Sequence, residues 1–248
     1  MKLVVVADPD AAAACAADWV LETATSGRYL LMAVGKSVAG AFERLARSPR
    51  CLEGVVVSTV DELHPRPSRE LSFAGQLQQM LGSETGALFD LTFDEDDGAD
   101  EPGIAKESRI LAKGISGAVL GLGRNGHLAF NEPGERFDAR SRVVELSDMT
   151  IEHLGGQRVL GPLRHGITLG LPVLVSSRRI LLLVLGDKAD ALARLVDGPI
   201  AESLPATVLR NHPDVTVLTT PHEAAQLSVM PAVRPVFAQD PPRGPESP

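Results

Sequence analysis

Residues 3–34 read LVVVADPDAAAACAADWVLETATSGRYLLMAV, in which two short aliphatic runs enclose a longer Ala-rich stretch. Aliphatic runs without polar alternation are typical of parallel strands that are covered on both faces. The stretch between them predicts a helix from Ala11 to Thr25, and a further helix is predicted from Ser37 to Ala46. This order of strand, helix, strand and helix indicates an α/β fold.

The same rhythm continues along most of the chain. Further aliphatic runs lie at 54–60, 117–123, 180–186 and 215–220, as GVVVSTV, GAVLGLG, ILLLVLG and VTVLTT. We therefore predict an α/β fold with a mostly parallel central sheet between helix layers. Residues 1–225 are expected to form a single α/β catalytic domain, because α/β chains of this length commonly remain one domain. Residues 226–248 are rich in Pro and predict a flexible tail.

Composition narrows the class of partner. The 248 residues carry a formal net charge of −8, and 44% of them are hydrophobic, as in ordinary globular proteins. The negative charge argues against nucleic-acid binding, which needs clustered Lys and Arg. Because no apolar run approaches the roughly 20 residues of a membrane span, and the N-terminus lacks the apolar length of a signal peptide, we expect a cytoplasmic protein without membrane contacts.

The residues that most often bind metals are not arranged as ligands in this chain. The acidic run DEDDGADE at 94–101 is expected to be a solvated loop, with a cation site as the less favoured alternative. Cys15 and Cys51 lack the spacing of a metal site or a disulfide framework. We therefore expect no metal site.

Polar residues cluster where the predicted strands end. VGKS follows the second strand, STVDEL ends the third, GRNGH follows the fourth and GDK the fifth, at 34–37, 58–63, 123–127 and 186–188. In open parallel sheets, ligands bind beyond the carboxyl ends of the strands. The functional site is therefore expected at this edge.

The longest of these segments is GLGRNGHLAFNEPG, at 121–134. Its glycines allow the backbone to approach a ligand closely, and the N–H groups of residues 123–126 could stabilise an oxyanion. A histidine such as His127 suits proton transfer at neutral pH, and Glu132 could orient its imidazole. For a lone GxG, a glycine turn around a buried histidine would be the better interpretation, but the full segment favours a catalytic role.

NGHLAFNEPG closely resembles the signature of the glucosamine-6-phosphate deaminases, whose relatives, the 6-phosphogluconolactonases, share only the GxGxxGH portion. FDARSRVVEL at 137–146 is similar to the segment that follows this signature, and TVDEL resembles the family's MDEY. The resemblance implies a three-layer, Rossmann-like sandwich with a mostly parallel central sheet. It also implies an aldose–ketose isomerising deaminase of carbohydrate metabolism, classed as a hydrolase, that acts on an amino-sugar phosphate and uses no cofactor. From residue 167 onward the sequence is closer to the lactonase branch. A sugar-lactone hydrolase and a non-catalytic sugar-phosphate-binding relative therefore stand as alternatives.

The resemblance also implies roles for individual residues. Asp61 matches the base that moves the proton at carbon 2, His127 the group that assists ring opening, and Glu132 a third catalytic residue. Asn125 lies where many members carry Asp, so Glu132 has to supply the negative charge beside His127. Without the resemblance, a helix cap and a catalytic base are equally good interpretations of Asp61. Asp at the end of a strand is a common helix cap. If Asp61 and Glu62 were both buried, the pKa of at least one of them would be raised, which would give a usable base.

The expected phosphate site is less regular. Gly35, Lys36 and Ser37 replace the family's TGST-like loop, yet backbone N–H groups at a helix start can still bind an anion. The alternative is a solvated lysine at the helix start. Lys188 matches the family's phosphate-binding Lys after a one-residue gap. Ile151 falls where the family carries a phosphate-binding Arg, which makes Lys36 the expected replacement.

Overall fold

A computed structural model describes residues 1–90, 93 and 103–228. In chain order, the described strands are β1 (Lys2–Val5), β2 (Tyr29–Met32), β3 (Val56–Thr59), β4 (Asp61–His64), β5 (Leu88–Phe89), β6 (Ile115–Gly121), β7 (Arg142–Glu145), β8 (His165–Thr168), β9 (Ile180–Val184) and β10 (Val215–Thr219). The described helices are α1 (Pro9–Thr23), α2 (Lys36–Ala46), α3 (Phe73–Leu81), α4 (Ile104–Lys113), α5 (Asp148–His153), α6 (Gly156–Leu160), α7 (Leu171–Val175), α8 (Ala189–Asp197) and α9 (Pro221–Ala224), with a 3-10 helix at Pro205–Asn211.

The central sheet has seven strands in the order β1-β10-β9-β6-β2-β3-β5. Every neighbouring pair in it is parallel. The six predicted strands are confirmed as six consecutive members of this sheet, and β5 adds a short edge strand. The predicted three-layer α/β sandwich is therefore confirmed.

Helices cover both faces of the sheet because each strand buries side chains on both sides. In β2, Leu30 and Met32 pack with residues of α1, α2 and α3. Tyr29 and Leu31 point to the opposite face and pack with residues of α4, α8 and α9. Helix α1 begins two residues before the predicted start, because Asp8 accepts a 2.8 Å hydrogen bond from Ala11 N–H and Pro9 occupies the first turn.

A second sheet was not predicted. It is antiparallel, has the order β4-β8-β7, and follows directly from β3 because Asp61 opens β4 only two residues after Thr59. Thr168 lies opposite both Asp61 and Arg142 in this sheet. The small sheet thus fixes the backbone of Asp61 at the carboxyl edge of the large one.

The packed chain continues past the predicted domain boundary at residue 225. Leu227 is buried in the main core, and the backbone N–H and hydroxyl of Ser228 both donate to Asp197. The rest of the predicted tail, 229–248, and the acidic run at 94–101 lie outside the described residues. None of the helices in the described ranges is long and apolar enough to cross a membrane.

Candidate active site

The four polar segments predicted at strand ends come together at one edge of the sheet. They follow or end β9, β6, β2 and β3, which are consecutive parallel neighbours in the sheet. GDK and GRNGH therefore lie side by side, with VGKS and STVDEL next along the edge. This edge is the candidate active site.

The glycine loop after β6 is shaped around His127. A Cβ added at Gly123 would lie within 2.4–2.5 Å of three imidazole atoms, and one at Gly126, whose φ is +88°, would meet Leu204 at 2.3 Å. The N–H of Gly123 donates to His127 C=O, and the N–H of Gly126 to Gly123 C=O, each at 3.0 Å. Gly123 thus leaves space for the imidazole of His127. Because the N–H groups of Gly123 and Gly126 already donate to backbone carbonyls, they are not the oxyanion donors that the sequence suggested.

Glu132 lies at the centre of a hydrogen-bonded cluster. Its Oε2 accepts from Asn125 Nδ2 at 2.7 Å, and its Oε1 accepts from the Thr150 hydroxyl at 2.5 Å and the Ser147 hydroxyl at 3.1 Å. The buried Nδ1 of His127 is 3.6 Å from Oε2, which is an ion-pair distance rather than a hydrogen bond. Glu132 therefore faces the imidazole as a fixed negative charge.

The protonation of Glu132 agrees with that geometry. Burial by itself raises the pKa of this carboxyl, but the charge of His127 and the donors on Thr150 and Asn125 outweigh it and lower the pKa to about 2. Glu132 is thus an anion at neutral pH. It can stabilise a protonated His127.

Asn125, which lies where many family members carry Asp, fits this cluster as a neutral side chain. Its Oδ1 accepts from His127 N–H at 3.1 Å while its amide donates to Glu132. A carboxylate at position 125 would instead face Glu132 as a second negative charge. Asn125 is therefore a positioning residue that joins the loop to Glu132.

The adjacent carboxylates of Asp61 and Glu62 have different roles. Glu62 accepts hydrogen bonds from the N–H groups of Phe73 and Ala74, both at 2.9 Å, and from the Ser72 hydroxyl at 2.6 Å. It therefore anchors the start of α3 together with the N-cap residue Ser72, so the carboxylate of this pair that supports a helix start is Glu62 and not Asp61. Burial, and then the negative charge of Glu62, raise the pKa of Asp61 to about 8.

Lys106 is a buried cation beside Asp61 that the sequence did not single out. It is 0% exposed, lies over the Phe93 ring at 3.8 Å, and donates to Asp90 C=O at 3.4 Å. Burial lowers the pKa of Lys106 to about 7, and its charge in turn lowers the pKa of Asp61. The protonation of Asp61, just after the end of β3, therefore depends on the charge of Lys106.

The residues predicted to bind phosphate meet where α2 begins. Lys188 Nζ donates to the Ser37 hydroxyl at 3.1 Å, and that hydroxyl donates to Leu185 C=O at 3.3 Å. Gly35 caps α2 without a side-chain hydrogen bond, and Lys36 is exposed. Burial lowers the pKa of Lys188, with Glu223 acting in the opposite direction.

The structure shows the surroundings of Ile151, which the resemblance matches to a phosphate-binding Arg of the family. Ile151 is buried in an apolar cluster with Leu63, Phe73, Phe130 and Leu146. Ile151 is therefore part of the apolar core and offers no contact to a phosphate.

Three functional neighbours were missed by the sequence analysis. Ser147 and Thr150 could have been found, because the string SDMT is typical of a helix start in which the serine caps the third residue of the helix, as Ser147 does at 3.2 Å. The sequence gives no such signal for Lys106, since a lysine in a helix is usually exposed. In the described ranges no group of three or more His, Cys, Asp or Glu side chains could hold a metal ion.

Comparison with known proteins decides the family. A sequence model described as "Glucosamine-6-phosphate isomerases/6-phosphogluconolactonase" matches residues 7–218. This chain belongs to that family. It is 34% identical over 236 residues to a glucosamine-6-phosphate deaminase of Leuconostoc citreum, covering 92% of this chain and all of that protein. It is also 43% identical over 121 residues to glucosamine-6-phosphate deaminase 2 of Bacillus subtilis, covering 46% of this chain and 48% of that protein.

Solved structures give the same fold. A monomeric glucosamine-6-phosphate deaminase superimposes with a TM-score of 0.79 at 26% identity, covering 91% of this chain and 99% of that one. A 6-phosphogluconolactonase from Trypanosoma cruzi superimposes with a TM-score of 0.72 at 17% identity, covering 92% and 97%. At that identity the lactonase likeness concerns the fold alone.

Proposed function

We propose that this protein converts glucosamine 6-phosphate, or a closely similar amino-sugar phosphate, to the ketose phosphate and ammonia. The observation that carries the proposal is Glu132, an anion fixed by Asn125, Ser147 and Thr150 against the imidazole of His127. This carboxylate belongs to the FNEPG half of the signature, which the lactonases do not share. The deaminases of Leuconostoc citreum and Bacillus subtilis support the same activity.

Ring opening is assigned to His127. Its Nδ1 lies against Glu132, which leaves Nε2 as the nitrogen that can meet the substrate. The imidazole would move a proton between the ring oxygen and the hydroxyl on carbon 1, so that the sugar becomes an open-chain aldehyde. The Glu132 charge stabilises the imidazolium that forms while the proton is in transit.

Asp61 is assigned the transfer of the carbon-2 proton. As a carboxylate it takes this proton, an enolamine forms, and the same proton returns to carbon 1. A pKa of about 8 suits this task, because the carboxylate is a stronger base than an ordinary aspartate and still ionises near neutral pH.

Release of ammonia completes the reaction. Protonation at carbon 1 leaves an imine at carbon 2, water adds to that carbon, the C–N bond breaks, and the C=O bond of the ketose forms. One water is consumed for each ammonia released, which is the sense in which the enzyme is a hydrolase as well as an isomerase. No redox step is involved.

The phosphate is assigned to Gly35, Lys36, Ser37 and Lys188. The first turn of α2 offers backbone N–H groups and the positive end of the helix dipole, and Lys188 already contacts Ser37. A doubly charged sugar phosphate does not cross a membrane unaided. We therefore propose that the enzyme works in the cytoplasm.

The decisive experiment supplies purified protein with glucosamine 6-phosphate and, separately, with 6-phosphogluconolactone. Stoichiometric ammonia and fructose 6-phosphate from the first substrate are the expected products. Acid release from the lactone without ammonia from the amino sugar would establish a lactonase instead. Saturable binding of the amino-sugar phosphate without any product would establish a non-catalytic relative.

Lys36→Met is expected to raise KM for glucosamine 6-phosphate about tenfold, because one charge-assisted contact to phosphate is lost. Turnover at saturation should change less, since Lys36 does not reach the reacting carbons in this assignment. Initial rates against substrate concentration give both constants. Lys2→Met is the matched control, because exposed Lys2 opens β1 at the opposite edge of the sheet. An unchanged KM in Lys36→Met would remove Lys36 from the site.

Lys106→Met is expected to move the acidic limb of kcat/KM upward by a fraction of a pH unit, because Lys106, with a pKa of about 7, carries only part of its charge where Asp61 titrates. The charge that Lys106 retains lowers the pKa of Asp61, and methionine fills similar space without a charge. The measurement is kcat/KM across the neutral range. Lys113→Met, an exposed change on the same helix, is the control that should leave the limb in place. A limb that does not move would show that Lys106 does not tune the base.

A further inference from the structure

The segment between His127 and Glu132 makes a tight turn that depends on Asn131. The backbone N–H of Asn131 and its side-chain amide both donate to Leu128 C=O at 3.0 Å. Ala129, inside the turn, has a φ of +52°, a left-handed conformation that residues other than glycine rarely adopt. Asn131, which is fully buried, therefore closes a strained turn between the two facing side chains of the candidate site.

The same turn is fastened to the small sheet. Asn131 Nδ2 donates to Leu169 C=O at 2.9 Å, and Phe130 N–H donates to the Thr168 hydroxyl at 3.2 Å. That hydroxyl in turn donates to Leu169 C=O at 3.1 Å and lies 3.4 Å from Asn131 Nδ2. Asn131 and Thr168, both fully buried, thus form a clamp between the loop of His127 and the end of β8.

The far side of the clamp reaches Asp61. Thr168 lies opposite Asp61 in the antiparallel pair of β4 and β8. Leu169 N–H donates at 2.8 Å to the C=O of Val60, the residue immediately before Asp61. A continuous path of hydrogen bonds therefore runs from the loop after β6 to the backbone beside Asp61.

Arg142 fixes the orientation of the Asn131 amide. Its Nη1 donates to Asn131 Oδ1 at 3.2 Å and to Arg140 C=O at 2.9 Å, and its Nη2 is 2.8 Å from a carboxylate oxygen of Glu135. Because a guanidinium can only donate, the amide oxygen faces Arg142 and the NH₂ group faces the backbone carbonyls. The clamp is therefore also held from the third strand of the small sheet, β7.

We propose that Asn131 and Thr168 are positioning residues for the deamination, because they set the distance between the imidazole of His127 and the carboxylate of Asp61. The proposal rests on the function proposed above, from which it takes the roles of these two groups. Proton transfers at neighbouring atoms of one substrate require both groups in place, and a displacement of about 1 Å can cost about a hundredfold in rate. Neither clamp residue contacts the substrate in this assignment, so loss of the clamp should lower turnover more than affinity.

The test compares two clamp variants with a conservative one. Asn131→Asp replaces the amide donor by an acceptor that faces the carbonyls of Leu128 and Leu169, and kcat for glucosamine 6-phosphate is expected to fall about a hundredfold. Thr168→Val keeps the volume but removes the hydroxyl, and a loss of about tenfold is expected. Thr168→Ser keeps the hydroxyl and should retain kcat within about threefold of the parent.

Affinity separates a positioning role from a general loss of structure. An analogue of the substrate whose carbon 1 is reduced to an alcohol should bind both clamp variants within a few-fold of the parent, as measured by calorimetric titration. Thr23→Val is the matched control, because it removes another buried hydroxyl, which accepts a 2.9 Å hydrogen bond from Arg179 beside the amino end of β9. It should leave kcat unchanged. Analogue affinity that falls in parallel with kcat, or a Thr168→Ser variant as slow as Thr168→Val, would overturn the proposal.

Hydrogen exchange gives a measurement that does not require turnover. The N–H groups of Phe130 and Asn131 are both bonded within the clamp, so exchange in residues 128–132 should be about tenfold faster in the two clamp variants and unchanged in Thr23→Val. Unchanged exchange in the clamp variants would contradict the inference. Thr168→Val, which removes a single hydroxyl, carries the test if Asn131→Asp does not fold.

Ammonia release separates this inference from the proposed function. A parent that releases ammonia, with clamp variants that turn over normally, would remove the inference and leave the deaminase assignment intact. A parent that releases no ammonia, with faster exchange confined to residues 128–132 of the clamp variants, would remove the deaminase assignment and still support the clamp.

Discussion

Asp61→Asn is expected to lower turnover about a thousandfold and, at pH 8, to make the fold more stable than the parent. An amide cannot accept the carbon-2 proton, so the isomerisation step loses its base. The same change removes a carboxylate that burial disfavours, which is why the pKa of Asp61 stands at about 8 against an ordinary value of 3.8. Removal of the Asp61 carboxylate thus causes both the gain in stability and the loss of turnover.

The pH dependence of the stability gain follows from the direction of the shift. The folded state keeps its proton up to about pH 8, whereas the unfolded chain releases it near pH 4, so the parent loses stability as pH rises through this window. Asn carries no proton to lose. Melting temperatures should therefore differ little at about pH 4 and by on the order of 5 °C at about pH 8. A gap that is independent of pH, or turnover within tenfold of the parent, would contradict the assignment.

Glu62→Gln is the matched control, because it changes the neighbouring carboxylate of the same pair. It should destabilise the protein over the whole neutral range, since the N–H groups of Phe73 and Ala74 lose a charged acceptor. It should also lower the pKa of Asp61, because the Glu62 charge is one of the causes that raise it. Opposite effects on stability from two adjacent carboxylates would separate the base from the helix anchor.

The large sheet could be predicted from the sequence because its strands are buried on both faces. In β2, all four residues are buried, so an uninterrupted aliphatic run is the direct consequence of the packing. The small sheet could not be predicted in the same way. Its strand β4 reads DELH, which resembles a polar loop, and its pairing with β8 depends on residues about a hundred positions away.

The sequence predicts those parts of the candidate site that can be recognised within a single segment of the chain. The strand-end rule indicates the edge, and the family resemblance indicates Asp61, His127 and Glu132. The contact of Glu132 with Thr150 and the effect of Lys106 on Asp61 could not be predicted in this way. Both arise because the fold brings together elements that are distant in the chain. The same limit applies to Ile151, which the resemblance matches to a phosphate-binding Arg, because its burial in an apolar cluster depends on residues from several other elements.

His127→Gln is expected to lower kcat at least a hundredfold while the protein folds normally. Glutamine can donate a hydrogen bond, but it does not change protonation state, so it cannot move the proton that opens the ring. The fold should tolerate the change because the ring is partly exposed and its Nδ1 faces Glu132 at 3.6 Å without a hydrogen bond. Single-turnover rates with glucosamine 6-phosphate, together with the melting temperature, measure both effects.

An open-chain analogue in which carbon 1 is reduced to an alcohol sharpens this test, because it binds without any ring opening. Its affinity for His127→Gln should remain within a few-fold of the parent's, since the proposed phosphate contacts are intact. Glu132→Gln should lower kcat as well, because a neutral amide no longer stabilises the imidazolium that forms during proton transfer. If His127→Gln instead bound the open-chain analogue as poorly as it turned over substrate, His127 would be a substrate-binding residue, and the ring-opening step would have to be assigned elsewhere.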